Sequence, residues 1–81
     1  MREMTMRLKS RVLFNELEGK FYILKLRRAV SLEDVSTAAS FDGTLKVYMK
    51  NGMRYFIEMG SNMDARLASL KIQENVQDEH R

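Results

Sequence analysis

From Met4 to Phe14 the chain alternates, with Met4, Met6, Leu8, Ser10, Val12 and Phe14 on one side of an extended backbone and Thr5, Arg7, Lys9, Arg11 and Leu13 on the other. A period of two sustained this long predicts a strand over about 4–14. A helix there would place its basic residues in the first turns and Glu16 and Glu18 near its end, against the helix dipole. Asn15-Glu16-Leu17-Glu18-Gly19-Lys20 reads as a polar loop and Phe21–Leu26 as a second, aromatic strand. Pairing Phe14 with Tyr22 segregates this hairpin best, because a one-residue slip moves every side chain to the other face. One face then carries Met4, Met6, Leu8, Val12, Phe14, Tyr22, Leu24 and Leu26. The other carries Arg7, Lys9, Arg11, Leu13, Phe21, Ile23, Lys25 and Arg27.

Further along, Ser31-Leu32-Glu33-Asp34 has a capping serine followed by acids. It predicts a single turn at 32–34, with Val35–Ser40 a short strand; a short helix is the alternative. The pattern over Thr44–Met59 is a hairpin with Lys50-Asn51-Gly52 at its tip. A two-residue Asn-Gly turn would mix charge into both faces. A three-residue loop with Gly52 left-handed pairs Met49 with Met53 and Val47 with Tyr55, and the faces separate. Leu45, Val47, Met49, Met53, Tyr55, Ile57 and Met59 then lie inside, and Lys46, Tyr48, Lys50, Arg54, Phe56 and Glu58 outside. Ser61-Asn62-Met63-Asp64 caps a helix of about three turns over Ala65–Gln73, whose Met63, Leu67 and Leu70 are expected to cover the sheet. The chain is expected to be one domain over 1–81, ordered over about 4–75, with the tail 76–81 frayed.

The expected fold class is therefore α+β, mainly β: about five strands in an antiparallel bent sheet or small open barrel, with one C-terminal helix. Leu, Ile, Val and Phe make up 21 of 81 residues, above the range of highly charged disordered chains. A core this thin, without disulfide or metal, favours oligomerisation, and a homodimer is expected. The absence of cysteine removes disulfides, thiolate metal sites and cysteine nucleophiles. His80, the sole histidine, stands in the tail, where it cannot assemble a multi-histidine site or serve as an oriented base. The four glycines are spaced for turns and form no phosphate-cradling motif. The acids Glu33 and Asp34 are accounted for by the turn they open. The six methionines beyond the first fall on inward faces. No apolar run is long enough to span a membrane and no signal-peptide core opens the chain, so a cytoplasmic, non-enzymatic protein without metal or cofactor is expected.

Charge changes the picture once it is divided along the chain. The net +3 resolves into eight cations against three acids in residues 1–28, and three against four in each of residues 29–60 and 61–81. The basicity thus belongs to the first hairpin. Arg7, Lys9, Arg11, Lys25, Arg27 and Arg28, interleaved with Phe21 and Ile23, could follow a phosphate backbone; read structurally, they are a solvated face with edge-protecting charges. The outer face of the second hairpin, with Lys46, Tyr48, Arg54 and Phe56, mixes rings and cations. It could stack bases or anchor a partner, or Tyr48 could simply pack along Arg54. Phe56 on such a face is covered by another element, meets a second copy, or binds a ligand.

The run Leu45-Lys46-Val47-Tyr48-Met49-Lys50-Asn51-Gly52 resembles, over these eight residues, the V-x-L-x-N-G hairpin of Sm-like RNA-binding proteins. Arg27-Arg28 followed by Asp34-x-Ser36 is similar in residue type to the second-messenger motif of PilZ domains. The spacing is too short, however, and Ala39 stands where that motif has glycine, so that site is not assigned. The leading expectation is a small regulatory or accessory protein binding DNA or RNA through the basic face of the N-terminal hairpin. The alternative is a protein-interaction module or homodimeric adaptor using the second hairpin, its basic face meeting an acidic protein.

Overall fold

The computed structural model describes residues 4–78. Along the chain come β1 (Met4–Lys9), β2 (Val12–Asn15), β3 (Lys20–Ile23), a 3₁₀ turn (Leu24–Leu26), β4 (Arg28–Ser31), a second 3₁₀ turn (Leu32–Asp34), β5 (Val35–Phe41), β6 (Thr44–Met49), β7 (Met53–Glu58) and α1 (Asn62–Asp78). The class is the expected one, α+β and mostly strands with one C-terminal helix. Among the described residues there are seven strands rather than about five, in two sheets ordered β1-β7-β6-β5 and β2-β3-β4.

The single strand expected over 4–14 is two strands in different sheets. Ser10 and Arg11 make the corner between them. The Ser10 amide donates to the Glu58 carbonyl (3.1 Å) and the Leu24 amide to the Arg11 carbonyl (3.1 Å). The Ser10 hydroxyl accepts the Lys25 amide (2.9 Å) and donates to the Arg11 carbonyl (2.8 Å). A polar residue in an otherwise apolar series thus satisfies backbone groups that the bend takes out of the ladders. Met6, Leu8, Val12 and Phe14 pack on the core on both legs of the corner, so the alternation runs through it unbroken.

The first hairpin is shifted by one residue from the expected register: Phe14 pairs with Phe21, not Tyr22. Phe21 and Ile23 are completely buried, and the Phe14 and Phe21 rings lie 5.6 Å apart. The strand ends at Ile23, so Leu24 and Leu26 do not belong to its inner face as expected. Arg28–Ser31, where no strand was expected, is β4, which pairs with β3 and buries Val30.

From residue 32 onward the expectations hold more closely. The turn at 32–34 and the strand after it are present. The hairpin adopts the bulged register, with Val47 opposite Tyr55, Leu45 opposite Ile57, and Gly52 at φ 94°. Between β5 and β6 a two-residue loop puts Asp42 at φ 51° and Gly43 at φ 82°, the type I′ geometry that matches strand twist. β1 lies parallel to β7, pairing Arg7 with Phe56.

At the start of α1 the Ser61 hydroxyl accepts the Asp64 amide (3.2 Å). The helix runs on to Asp78, and Val76 packs against the core; residues 79–81 of the tail expected to fray lie outside the described residues. Its buried face is not the expected one. Ala65, Ala68, Ser69 and Ile72 are buried, whereas Met63, Leu67 and Leu70 are 69%, 58% and 44% exposed. Small side chains let the helix lie close over β5 and β6, where Ala38 is equally small, and Gln73 Nε2 donates to the Ala38 carbonyl. No helix among the described residues is long and apolar enough to cross a membrane.

Candidate nucleic-acid interface

Residues paired across a sheet point to the same side, so the ladders define the outer face of the four-stranded sheet. Its central row is Arg7 (β1), Phe56 (β7), Lys46 (β6) and Ala39 (β5). Thr5, Arg54, Tyr48 and Thr37 form the row on one side, and Lys9, Glu58, Thr44 and Phe41 the row on the other. Across these rows four cations stand against one carboxylate.

The rings and cations interleave. Arg7 Cζ lies 4.9 Å from the Phe56 ring centroid, and Lys46 Nζ lies 5.2 Å from it. The same ammonium is 5.7 Å from the Phe41 ring, and Arg54 Cζ is 6.0 Å from Tyr48. Tyr48 and Phe56 meet edge to face at 6.1 Å. The result is an alternating series, Phe41, Lys46, Phe56, Arg7, running across all four strands. Tyr48 and Phe56 are half-buried while Phe41 is 71% exposed, so the rings offer both a floor and a raised edge.

The six cations expected on one hairpin face do not converge, because that hairpin never forms as a continuous pair from residue 4. Arg7 and Lys9 are on β1 and join the face of the second hairpin. Arg11 is at the corner. Lys25 lies in the first 3₁₀ turn and Arg27 just after it, both exposed. Arg28 donates through Nη1 to the Tyr55 hydroxyl (3.0 Å), a part-buried bond that serves the structure. Lys46, Tyr48, Arg54 and Phe56 do share one face, as expected. Phe41 and Thr37 were missed, though Asp42-Gly43, a strong hairpin signal, would have placed β5 beside β6 and Phe41 on this side.

Beside the outer row an open groove of about 700 Å³ is lined by Lys9, Arg11, Asp42 and Glu58 among others. Two cations and two carboxylates balance there, so the positive field belongs to the sheet face. Among the described residues no group of three or more His, Cys, Asp or Glu side chains is placed to hold a metal ion.

The geometry is thus a mixed four-stranded sheet packed by a helix on one side, with an open aromatic and cationic face on the other. Comparison with protein-family models, curated proteins and solved structures finds no match to this chain.

Proposed function

We propose that the protein binds single-stranded nucleic acid across the outer face of the four-stranded sheet. The observation that carries this reading is the alternation of Phe41, Lys46, Phe56 and Arg7 over four adjacent strands. Each cation–ring contact on an exposed face is worth about 0.5–1 kcal/mol, whereas stacking of a base on an aromatic side chain is worth about 1–3 kcal/mol. A base therefore displaces Lys46 or Arg7 from a ring at a net gain, and the released cation is left within reach of the adjoining phosphate. Bases inside a duplex have no free faces to stack, which selects single strands. The site residues are Arg7, Lys46, Arg54, Tyr48, Phe56 and Phe41, with Lys9 at the margin. The hairpin face expected from the sequence is replaced by this one.

Neutralising about four phosphates gives a log–log salt slope of roughly −3 for a single strand. Fluorescence anisotropy with a labelled single-stranded oligonucleotide tests the proposal. Wild type binds at about 50 mM salt and weakens along that slope, and Phe56→Ala loses about tenfold in affinity. Absence of binding at low salt, or equal binding by Phe56→Ala, refutes it. Binding of an acidic polypeptide in place of nucleic acid would favour the adaptor reading.

A further inference from the structure

The helix α1 carries two apolar faces on opposite sides. Ala65, Ala68 and Ile72 are spent on the sheet, while Met63, Leu67 and Leu70 point outward and remain exposed. Met63, Leu67 and Leu70 follow the alternating four- and three-residue spacing of a narrow helix–helix seam, which Glu74 at the next position ends, rather than the broad stripe that packs on a domain core. Beside the seam an open groove of about 550 Å³ is lined by Val12, Phe14, Met59, Leu67 and Leu70 together with four charged side chains, so apolar surface continues past the helix within a charged surround.

The charges flanking the seam specify its occupant. Asp64 and Lys71 lie on one flank, seven residues apart, and Arg66 and Gln73 on the other. In an antiparallel pair centred between Leu67 and Leu70, each flank meets its own kind. Asp64 of each copy then faces Lys71 of the other, and Arg66 faces neutral Gln73. In a parallel pair the flanks cross and Arg66 faces Lys71, a like-charge contact. An interface whose charges complement themselves under a two-fold rotation is what a closed homodimer requires. Lys71 is already held at the rim, 3.1 Å from Glu16 Oε1 and 5.2 Å from the Phe14 ring, so less side-chain freedom is lost when it meets a second carboxylate.

We infer that the protein forms a two-fold homodimer through an antiparallel pairing of the outer faces of α1. The nucleic-acid face lies on the other side of the sheet that α1 covers, so the two proposals stand or fall separately, and a dimer presents two binding faces. Sedimentation equilibrium up to millimolar concentration is the test. Wild type is expected at twice the chain mass. Leu67→Glu is expected to weaken dimerisation at least tenfold with the monomer's circular dichroism unchanged, since Leu67 is already 58% exposed. Lys71→Asp sets carboxylates against each other and weakens the dimer, and adding Asp64→Lys in the same chain restores it, although the contact with Glu16 stays lost. A wild type monomeric throughout the range overturns the inference. So does a dimer that survives Leu67→Glu and is lost in Phe56→Asp, or a charge swap that restores nothing.

Discussion

Arg28 and Tyr55 join the two sheets: the guanidinium on β4 donates at 3.0 Å to the hydroxyl of a tyrosine on β7 that is 6% exposed. That hydroxyl takes its hydrogen bond from a charged donor. Arg28→Ala is expected to lower unfolding free energy by about 1–2 kcal/mol, the net worth of a part-buried hydrogen bond to a charged group, read as an earlier midpoint in urea. Oligonucleotide affinity should not change, because this cation is tied to the core.

Arg7 and Lys25 separate the two possible basic faces. Arg7→Gln removes a cation from the ring series and should reduce the salt slope by about one, with a matching loss of affinity at low salt. Lys25→Gln, on the 3₁₀ turn, should leave both slope and affinity at wild-type values. Titrations at several salt concentrations give the comparison directly.

Arg27 closes that turn in the left-handed region, at φ 52°, with its amide donating to the Leu24 carbonyl (3.1 Å). A non-glycine residue there costs roughly 1–2 kcal/mol, partly offset by the greater chain entropy that glycine loses on folding. Arg27→Gly is therefore expected to stabilise the protein by about 0.5–1 kcal/mol in thermal or urea unfolding, and to bind nucleic acid as wild type does.

Tyr22 faces outward because of the Phe14–Phe21 register, and its hydroxyl donates to Glu18 Oε1 at 3.1 Å. That bond, and then the carboxylate's charge, raise the phenol above its usual value of 10.0. Because the folded-state value is the higher one, the associated stability is present below the ordinary tyrosine range and disappears as pH rises through the raised value. Tyrosinate absorbance should show Tyr22 titrating late, and Glu18→Gln should bring it back toward its usual value.

How much of this could be read from the chain differs by segment. The second hairpin was legible down to its bulge because only one register separates Val47, Tyr55, Leu45 and Ile57 from Lys46, Phe56 and Arg54. The corner at Ser10 was not, since a strand that bends around a core keeps its inward residues in phase. The serine interrupting the apolar series was the available sign. In the first hairpin, counting Leu24 and Leu26 as strand outweighed Phe21 and Ile23, and a chain that turns into a 3₁₀ segment at residue 24 reverses that balance. For α1, ranking side chains by hydrophobicity favoured Met63, Leu67 and Leu70, whereas close approach to β5 and β6 demands small ones. The candidate site was half visible. Two of its rings and two of its cations lie on one hairpin, but Phe41 stands on β5, and Arg7 and Lys9 arrive through a pairing between the two ends of the fold, which local patterning does not encode.

That parallel pairing of β1 with β7 also sets an order of assembly. It joins residues roughly fifty positions apart, while β5, β6 and β7 are joined by two successive hairpins. Distant contacts pay the larger loop-closure entropy and form late. The ring surface of Phe56, Tyr48 and Phe41 is therefore assembled before Arg7 reaches it. Because β1 is an edge strand paired on one side only, its detachment would remove two cations from the face.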